Sequence, residues 1–515
     1  MHATYYPGHE DGCGHSNSCP HIGGASLGML VQIANTGEEQ RRYLHRQLEG
    51  RDKSNSELVA QVVRLEAELE QVKLELRLER QNKFATNKQK SDADPAPATA
   101  NSTDKQGLGK RGAPVGHPGW HRKTPTQYDV RIDVLAPKRC PHCDSRNIAA
   151  YASQDATEHL QEDVVDGQYH VTLFTHPSAR CRDCRKWVQK PGKGEILGSR
   201  IGPHVRAMAI YLRNEIGVSY RKVSRAIKDL LGFEFTPAAL IDFEKLLAQH
   251  AEPVVEDIQK KIACTEGAVH ADETYWRLDG DRAYYWVHTT EDFVHFEFST
   301  TRSGEVSRNI LGDDLVGTLV TDCYGGYEAQ NAGAKQKCLA HLARTARDWQ
   351  KLTSLGTPDF EFFSRIREWV KKGCHYHKQQ SAWAQSTCRK HRKWLEDEMA
   401  ALQQLPLKHA KAITLQGRII KHAQSWLVFT RDSRVPPTNN LAERTLRPLV
   451  IMRKICFGNR SLEGGKRLAA IMSVKDTARR HGHNPLHVFY RLFTQPPDKV
   501  MRSLYKKTPA TTSSA

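Results

Sequence analysis

The spacing of apolar and polar residues divides this chain into stretches of different period. Leu58, Val62, Leu65, Leu69, Val72 and Leu76 recur in alternating steps of four and three, flanked by Glu, Arg and Lys. That is an a/d seam, and it predicts a coiled coil over 55–84 and therefore a homo-oligomer. A helix packed on its own domain gives the same pattern over about three heptads. Residues 85–106 are rich in Ala, Pro and Ser and read as a linker. GKRGAPVGHPGWHRK follows, too broken by Gly and Pro for a helix, so 85–135 is taken as linker and basic arm. Within 136–195, EHLQEDVV and QYHVTLF alternate about Asp166-Gly167, a hairpin signal. The period becomes helical over 196–262. Ser219 heads YRKVSRAIKDLL, Gly232 ends it, and Thr236-Pro237 opens PAALIDFEKLL as N-cap and N1. Two short helices about a Gly-containing turn fit a helix-turn-helix, and equally a plain bundle. From 263 to 349 the pattern is mainly that of strands: AVHADETYW, RAYYWVHTT, VHFEFST and LVGTLVTD, with Asp279-Gly280 as a second hairpin turn. A helical stretch rich in Lys, Trp and His covers 350–430, and basic helices cover 431–505. The His/Cys-rich residues 1–54 and the tail 506–515 flank these. The prediction is a multidomain chain of α/β and α parts.

Charge adds a partner. The 515 residues carry a net +18 with a pI near 9.3. Residues 431–515 alone hold 17 Lys/Arg against 5 Asp/Glu. Clustering of that kind predicts a surface for a polyanion, foremost DNA. No apolar run approaches the roughly 18 residues of a membrane span, and the N-terminus lacks the apolar core of a secretory signal. A cytoplasmic, nucleoid-associated location follows as an expectation. The twelve cysteines then suit metal binding or burial rather than disulfides.

Two groups of residues suggest chemistry. Cys140, Cys143, Cys181 and Cys184 form two C-x₂-C knuckles. Four thiolates suit one tetrahedral structural Zn²⁺ in a ribbon-like element, and leave no open position for catalysis. The set Cys13, His15, Cys19 and His21 is too tightly spaced for a usual finger. The second group is acidic. Asp272 and Asp322 each end an apolar run, and Glu443 sits in TNNLAERTLRP at the start of a helix. Carboxylates so placed can converge on two Mg²⁺ ions, the arrangement suited to in-line attack on a phosphodiester. Glu273 points to the other strand face and is assigned to a supporting role. Each acid has a plainer reading: a turn-flanking surface acid for Asp272, an Asx turn for Asp322, a capping box with Asn440 or an i+4 pair with Arg447 for Glu443. The pattern alone leaves Glu443 open. Pro448 is expected to kink or end that helix. Cys338 and His341 form a C-x₂-H pair that shares a helix face, with no matching pair at a suitable distance.

Together, the zipper, KRGAPVGHPG, CPHC/CRDC, HADET, TDCYGGY with CLAHLAR, and NNLAERTLRP make residues 55–495 resemble the insertion-sequence transposases of the IS-sixty-six group, of the DDE class. The resemblance implies a ribonuclease-H-like catalytic core with a helical insertion between the second and third acids. It implies Asp272, Asp322 and Glu443 as the metal-binding triad, supported by Cys338 and His341. The implied reaction is cleavage of element ends and strand transfer to target DNA, with accessory proteins of the same element as partners. Arg444, Arg447, Arg453 and Lys454 are the cations expected beside the cut, and Lys110 and Arg111 those of the arm. The competing readings are a metal-dependent nuclease without strand joining and a non-catalytic DNA-binding regulator.

Overall fold

The computed structural model describes residues 122–507 apart from 152–155, together with Arg64, Leu65 and Glu68, which are helical. The rest of the heptad segment, the linker, Lys110, Arg111, the His/Cys-rich N-terminus and residues 508–515 lie outside the described residues. The chain divides into units 1–120 and 121–515, and the architecture that follows belongs to the second.

That unit opens with β1 (Val130–Asp133), β2 (Ile148–Ala150), β3 (Thr157–Val165), β4 (Gln168–His176) and β5 (Ala179–Cys181). β3 and β4 form the expected hairpin, and Asp166 and Gly167 both take positive φ at its turn (51° and 79°). Such two-residue turns match the twist of paired strands. β1 lies parallel to β4, and β2 pairs antiparallel with β5, which sets Ile148 opposite Cys181. The hairpin thereby closes the long gap between the two cysteine knuckles.

Three helices follow: α1 (Pro203–Asn214), α2 (Tyr220–Leu231) and α3 (Pro237–Ala263). α1 takes its N-terminal cap from β3. Asp163 accepts hydrogen bonds from the backbone N–H of His204 (3.0 Å) and Val205 (2.8 Å). Gly202 makes room for that carboxylate, since a Cβ there would lie 2.4 Å from its Oδ2. α2 stops at Gly232 in the left-handed conformation, and the Thr236 hydroxyl accepts from Ala239 N to start α3. α3 is no short helix, however. It runs 27 residues, through Pro253, because Leu247, Ala251, Val254, Ile258 and Ile262 prolong its buried stripe.

The central sheet holds β6 (Ala268–Leu278), β7 (Asp281–Thr289), β8 (Val294–Ser299), β9 (Asp314–Thr321) and β10 (Asn331–Lys337), in the order β10-β9-β6-β7-β8. β6, β7 and β8 are antiparallel neighbours, whereas β9 runs parallel to β6 and β10 parallel to β9. The short helix α4 (Glu305–Leu311) lies between β8 and β9. One sheet face, with Val269, Ala271 and Leu319, packs on α3. The other, with Trp276, Tyr285 and Val287, packs on α9 (Asn440–Cys456) and α10 (Leu462–Arg480). Burying a large apolar side chain contributes on the order of 2–3 kcal/mol, so these two layers fix the sheet firmly. α10 also covers β8: the hydroxyls of Ser473 and Thr477 accept from the N–H of Phe296 and Val294, which satisfies an otherwise open strand edge.

Between β10 and α9 the chain forms α5 (Leu339–Gln350), α6 (Pro358–Gln379), α7 (Gln385–Gln404) and α8 (Ala410–Lys421), with a core of their own that includes Phe362, Phe363, Trp369 and Trp426 and touches the sheet at Val320. After α10 come α11 (Pro485–Thr494) and α12 (Pro497–Leu504). Of the two outcomes expected at Pro448, termination does not occur: α9 runs on to Cys456. Pro448 is exposed, and burial of Leu446, Leu449 and Met452 on the sheet outweighs a penalty of about 3 kcal/mol.

Candidate active site

The strand register brings the first two acids together. Ala268, Val269 and His270 of β6 pair with Thr318, Leu319 and Val320 of β9. Each pair is offset by 50 residues, the interval that separates Asp272 from Asp322. Asp322 follows the last residue of β9, so both acids stand where two parallel strands diverge, a usual place for ligands in parallel sheets. Asp272 is not at the end of its strand. It is the fifth of eleven residues in β6, which continues because Glu273–Leu278 remain paired with β7. Asp272 shares strand parity with Trp276, which packs on α9, and so faces the helix that carries Glu443.

Burial pushes the Asp272 carboxyl up to about 7, and repulsion from Glu273, Asp322 and Glu443 adds to it, while the Glu273 N–H opposes it. Glu273 lies on the opposite face, where its carboxylate accepts from Tyr327 Oη (2.6 Å) and pairs with Arg302 (2.5 Å). Burial lifts the Glu273 carboxyl as well. Asp322 forms the Asx turn that its local sequence allows: its Oδ1 accepts from Tyr324 N at 2.8 Å.

Glu443 does not form a capping box with Asn440. The N-cap of α9 is Asn439, which makes no side-chain cap bond, so Glu443 falls one position too far along the helix. Its carboxylate reaches across to α5 instead. Oε1 lies 3.5 Å from His341 Nδ1 and Oε2 lies 3.6 Å from an Arg344 nitrogen; its close polar contacts lie with these residues, not with Arg447.

Two residues outside the expected set hold this arrangement. Asn439, fully buried, donates from Nδ2 to the Ala271 carbonyl (2.8 Å) and bonds His270 Nδ1 through Oδ1 (3.0 Å), while its N–H donates to Cys338 Sγ (3.1 Å). It ties β6, α5 and α9 together beside Asp272. Burial lowers His270 to about 4, so the ring stays neutral. Lys337, also fully buried, donates to the Asp322 carbonyl (3.1 Å) and Thr321 Oγ1 (3.3 Å) and pairs with Glu328 (2.7 Å). The doubled asparagine before LAER and the lysine preceding CLAH were the only signals for either in the sequence.

A family model described as "Transposase IS66 family" matches residues 198–467, slightly over half of the chain. The chain belongs to the IS66 family of transposases. The match spans all three acids and places a transposase's DNA-processing role on this unit. A curated relative, "Uncharacterized protein y4hP" of Sinorhizobium fredii (strain NBRC 101917 / NGR234), is 22% identical over 421 residues, 74% of either chain.

DNA binding follows from transposase family membership. On α9, Arg444, Arg447 and Lys454 are exposed. Arg453 is half-buried and already engaged, bonded to the Tyr275 carbonyl and 3.4 Å from Thr274 Oγ1. The four-cysteine cluster lies outside the matched residues. The ligand sulfurs of Cys140, Cys143, Cys181 and Cys184 all come within 4.8 Å of one another and could hold a zinc ion. Among the described residues no helix is long and apolar enough to cross a membrane.

Proposed function

We propose that this transposase cuts the ends of its element and joins them to target DNA by divalent-metal-dependent phosphoryl transfer, with Asp272, Asp322 and Glu443 as the acids of a DDE site on a ribonuclease-H-like core. The observation that carries the reading is the β6–β9 register, which ends at His270 opposite Val320, two residues before each aspartate, with Asp322 and Glu443 both close enough to raise the Asp272 carboxyl further. The sheet supports the core assignment: three antiparallel strands continued by two parallel ones, with helices on both faces.

The residues present fit Mg²⁺. Glu273 has Arg302 and Glu443 has Arg344 as cationic partners, whereas the buried Asp272 carboxyl is raised by three neighbouring acids. A cation at Asp272 would relieve that repulsion. Phosphoryl transfer of this kind uses two ions roughly 3.5–4 Å apart. When bound, such a pair lowers the pKa of an attacking water and neutralises charge at the phosphate. The protein's own part is positioning: Asn439 fixes α9 against β6, and Lys337 fixes the Asp322 backbone. Exposed Arg444, Arg447 and Lys454 supply cations for the DNA backbone. The four thiolates are assigned a structural Zn²⁺, and the heptad segment the pairing of chains that holds both element ends.

The test is incubation of the full chain with element-end DNA, a supercoiled target and Mg²⁺. The expected result is free 3′ ends and end–target joints. Cleavage without joints would favour the nuclease reading. No cleavage with any divalent ion would leave a DNA-binding regulator.

A further inference from the structure

We infer that Cys338, His341 and Glu443 form a metal centre of transition-metal type, adjacent to the acids but different from them in chemistry. The ligand atoms of these three residues all lie within 4.8 Å of one another. Sequence spacing offered a C-x₂-H pair with no partner. The fold supplies the third ligand from a helix about a hundred residues away.

Strand register explains how they meet. Lys337, the last residue of β10, pairs with Thr321, the last of β9. Cys338 therefore sits beside Asp322, and its N–H donates to the Thr321 carbonyl at 2.8 Å. Cys338 is the N-cap of α5, and His341 stands three residues on, within the first turn and on the same face. The start of α9 is docked on this corner by Asn439 N–H donating to Cys338 Sγ (3.1 Å) and by Leu339 N–H donating to the Pro437 carbonyl (2.9 Å). Burial holds the Cys338 thiol above its ordinary range, against the opposing pull of the backbone N–H groups of Asn439, His341 and Ala340.

Two further observations point to a ligand. His341 Nδ1 and Glu443 Oε1 are both buried and both lack a hydrogen-bond partner. They stand 3.5 Å apart, too far for a good hydrogen bond. Two ligands at about 2.0–2.1 Å from one tetrahedral zinc are separated by about 3.3 Å. Neither atom makes a hydrogen bond, and with the Cys338 sulfur they are gathered as the ligands of one ion would be. The donor set decides the ion. Thiolate, imidazole and carboxylate suit Zn²⁺, whereas Mg²⁺ selects oxygens and near-octahedral geometry. His341 and Glu443 keep 33% and 29% of their side chains exposed, so three protein ligands leave a fourth position towards solvent, for water or a phosphate oxygen. That contrasts with the closed four-thiolate set. The second Glu443 oxygen, 3.6 Å from Arg344, stays available to another cation. The metal's role would be to fix the Glu443 carboxylate beside Asp272.

The inference does not rest on phosphoryl transfer and is tested without DNA or Mg²⁺. Full-length chain is saturated with Zn²⁺, desalted and measured for zinc by elemental analysis, with circular dichroism to monitor folding. Wild type is expected to hold about two zinc ions per chain, and both His341→Ala and Cys338→Ser about one. Replacing Zn²⁺ by Co²⁺ gives an independent readout: with Cys140, Cys143, Cys181 and Cys184 all changed to Ser, the chain should keep a thiolate-to-cobalt charge-transfer band that is lost when His341→Ala is added. If the variant without the four cluster cysteines does not fold, the wild type against His341→Ala zinc count decides alone. Wild type at about one ion per chain, or a count unchanged by His341→Ala, would overturn the centre.

Discussion

The four-cysteine cluster and the proposed acid site bring like-charged side chains together in opposite ways. The cysteines come as two knuckles, each within four residues, and a single hairpin brings them together. Each knuckle is followed by a residue with positive φ, Asp144 and Arg185, so the turn geometry is local. The acids come from a strand, the turn after a second strand and a helix, up to 171 residues apart, and no single local turn brings them together. They rely on β6–β9 register, burial of α9 and a buried asparagine. On the proposed reading, the locally built cluster would depend on its ion, whereas the acids are placed by the fold and Asp272 bears the electrostatic cost.

That contrast is open to attack at several points. The largest expected effect lies at the cysteines. Removing zinc with a chelator should unfold residues 136–195 while leaving the central sheet intact, since structural zinc contributes on the order of 10 kcal/mol. Hydrogen exchange would show this, and equal loss of protection in β6 and β9 would erase the distinction between the two regions.

Next comes the cost of the waiting acid. With a folded value of about 7 against an ordinary 3.8, Asp272 leaves stability intact below about pH 4 and subtracts from it as pH rises towards 7, where the unfolded chain is ionised and the folded one is not. Asp272→Asn should therefore stabilise the metal-free protein at pH 8 by up to about 4 kcal/mol, and should abolish stabilisation by Mg²⁺. Thermal unfolding at pH 4 and pH 8, with and without Mg²⁺, measures both. A variant less stable than wild type at pH 8 would contradict the strain.

A smaller effect is expected at Asn439. Asn439→Ala leaves the Ala271 carbonyl and His270 Nδ1 without their partner in a buried place, which should cost about 2–4 kcal/mol in urea unfolding. A change within about 0.5 kcal/mol, typical of surface positions, would mean that α9 is held by its apolar face alone.

Much of this was legible from sequence because it was local. The Asp166-Gly167 and Asp279-Gly280 turns, the Gly232 stop and the Thr236 cap each occur where the residue types require them. Asp272 and Asp322 were marked by apolar runs ending in carboxylates, although Asp272 lies mid-strand, because pairing with β7 does not register in one strand's own pattern. The capping-box reading of Glu443 failed by a single residue: Asn439 and Asn440 are equivalent as letters, and only docking against Ala271 selects the first. Lys337 and the convergence of Glu443 with Cys338 and His341 were hidden for the same reason, since they depend on which strand lies next to which. The length of α3 and the continuation of α9 past Pro448 reflect tertiary burial overriding local signals.

The most direct test of the three acids as one site is Mg²⁺-dependent cleavage of element-end DNA by Asp272→Asn, Asp322→Asn and Glu443→Gln, each compared with its own DNA-binding affinity. The account predicts that all three lose cleavage by at least about a hundredfold while end binding stays within a few-fold of wild type. Full cleavage by any one of them, in particular Glu443→Gln, would contradict it.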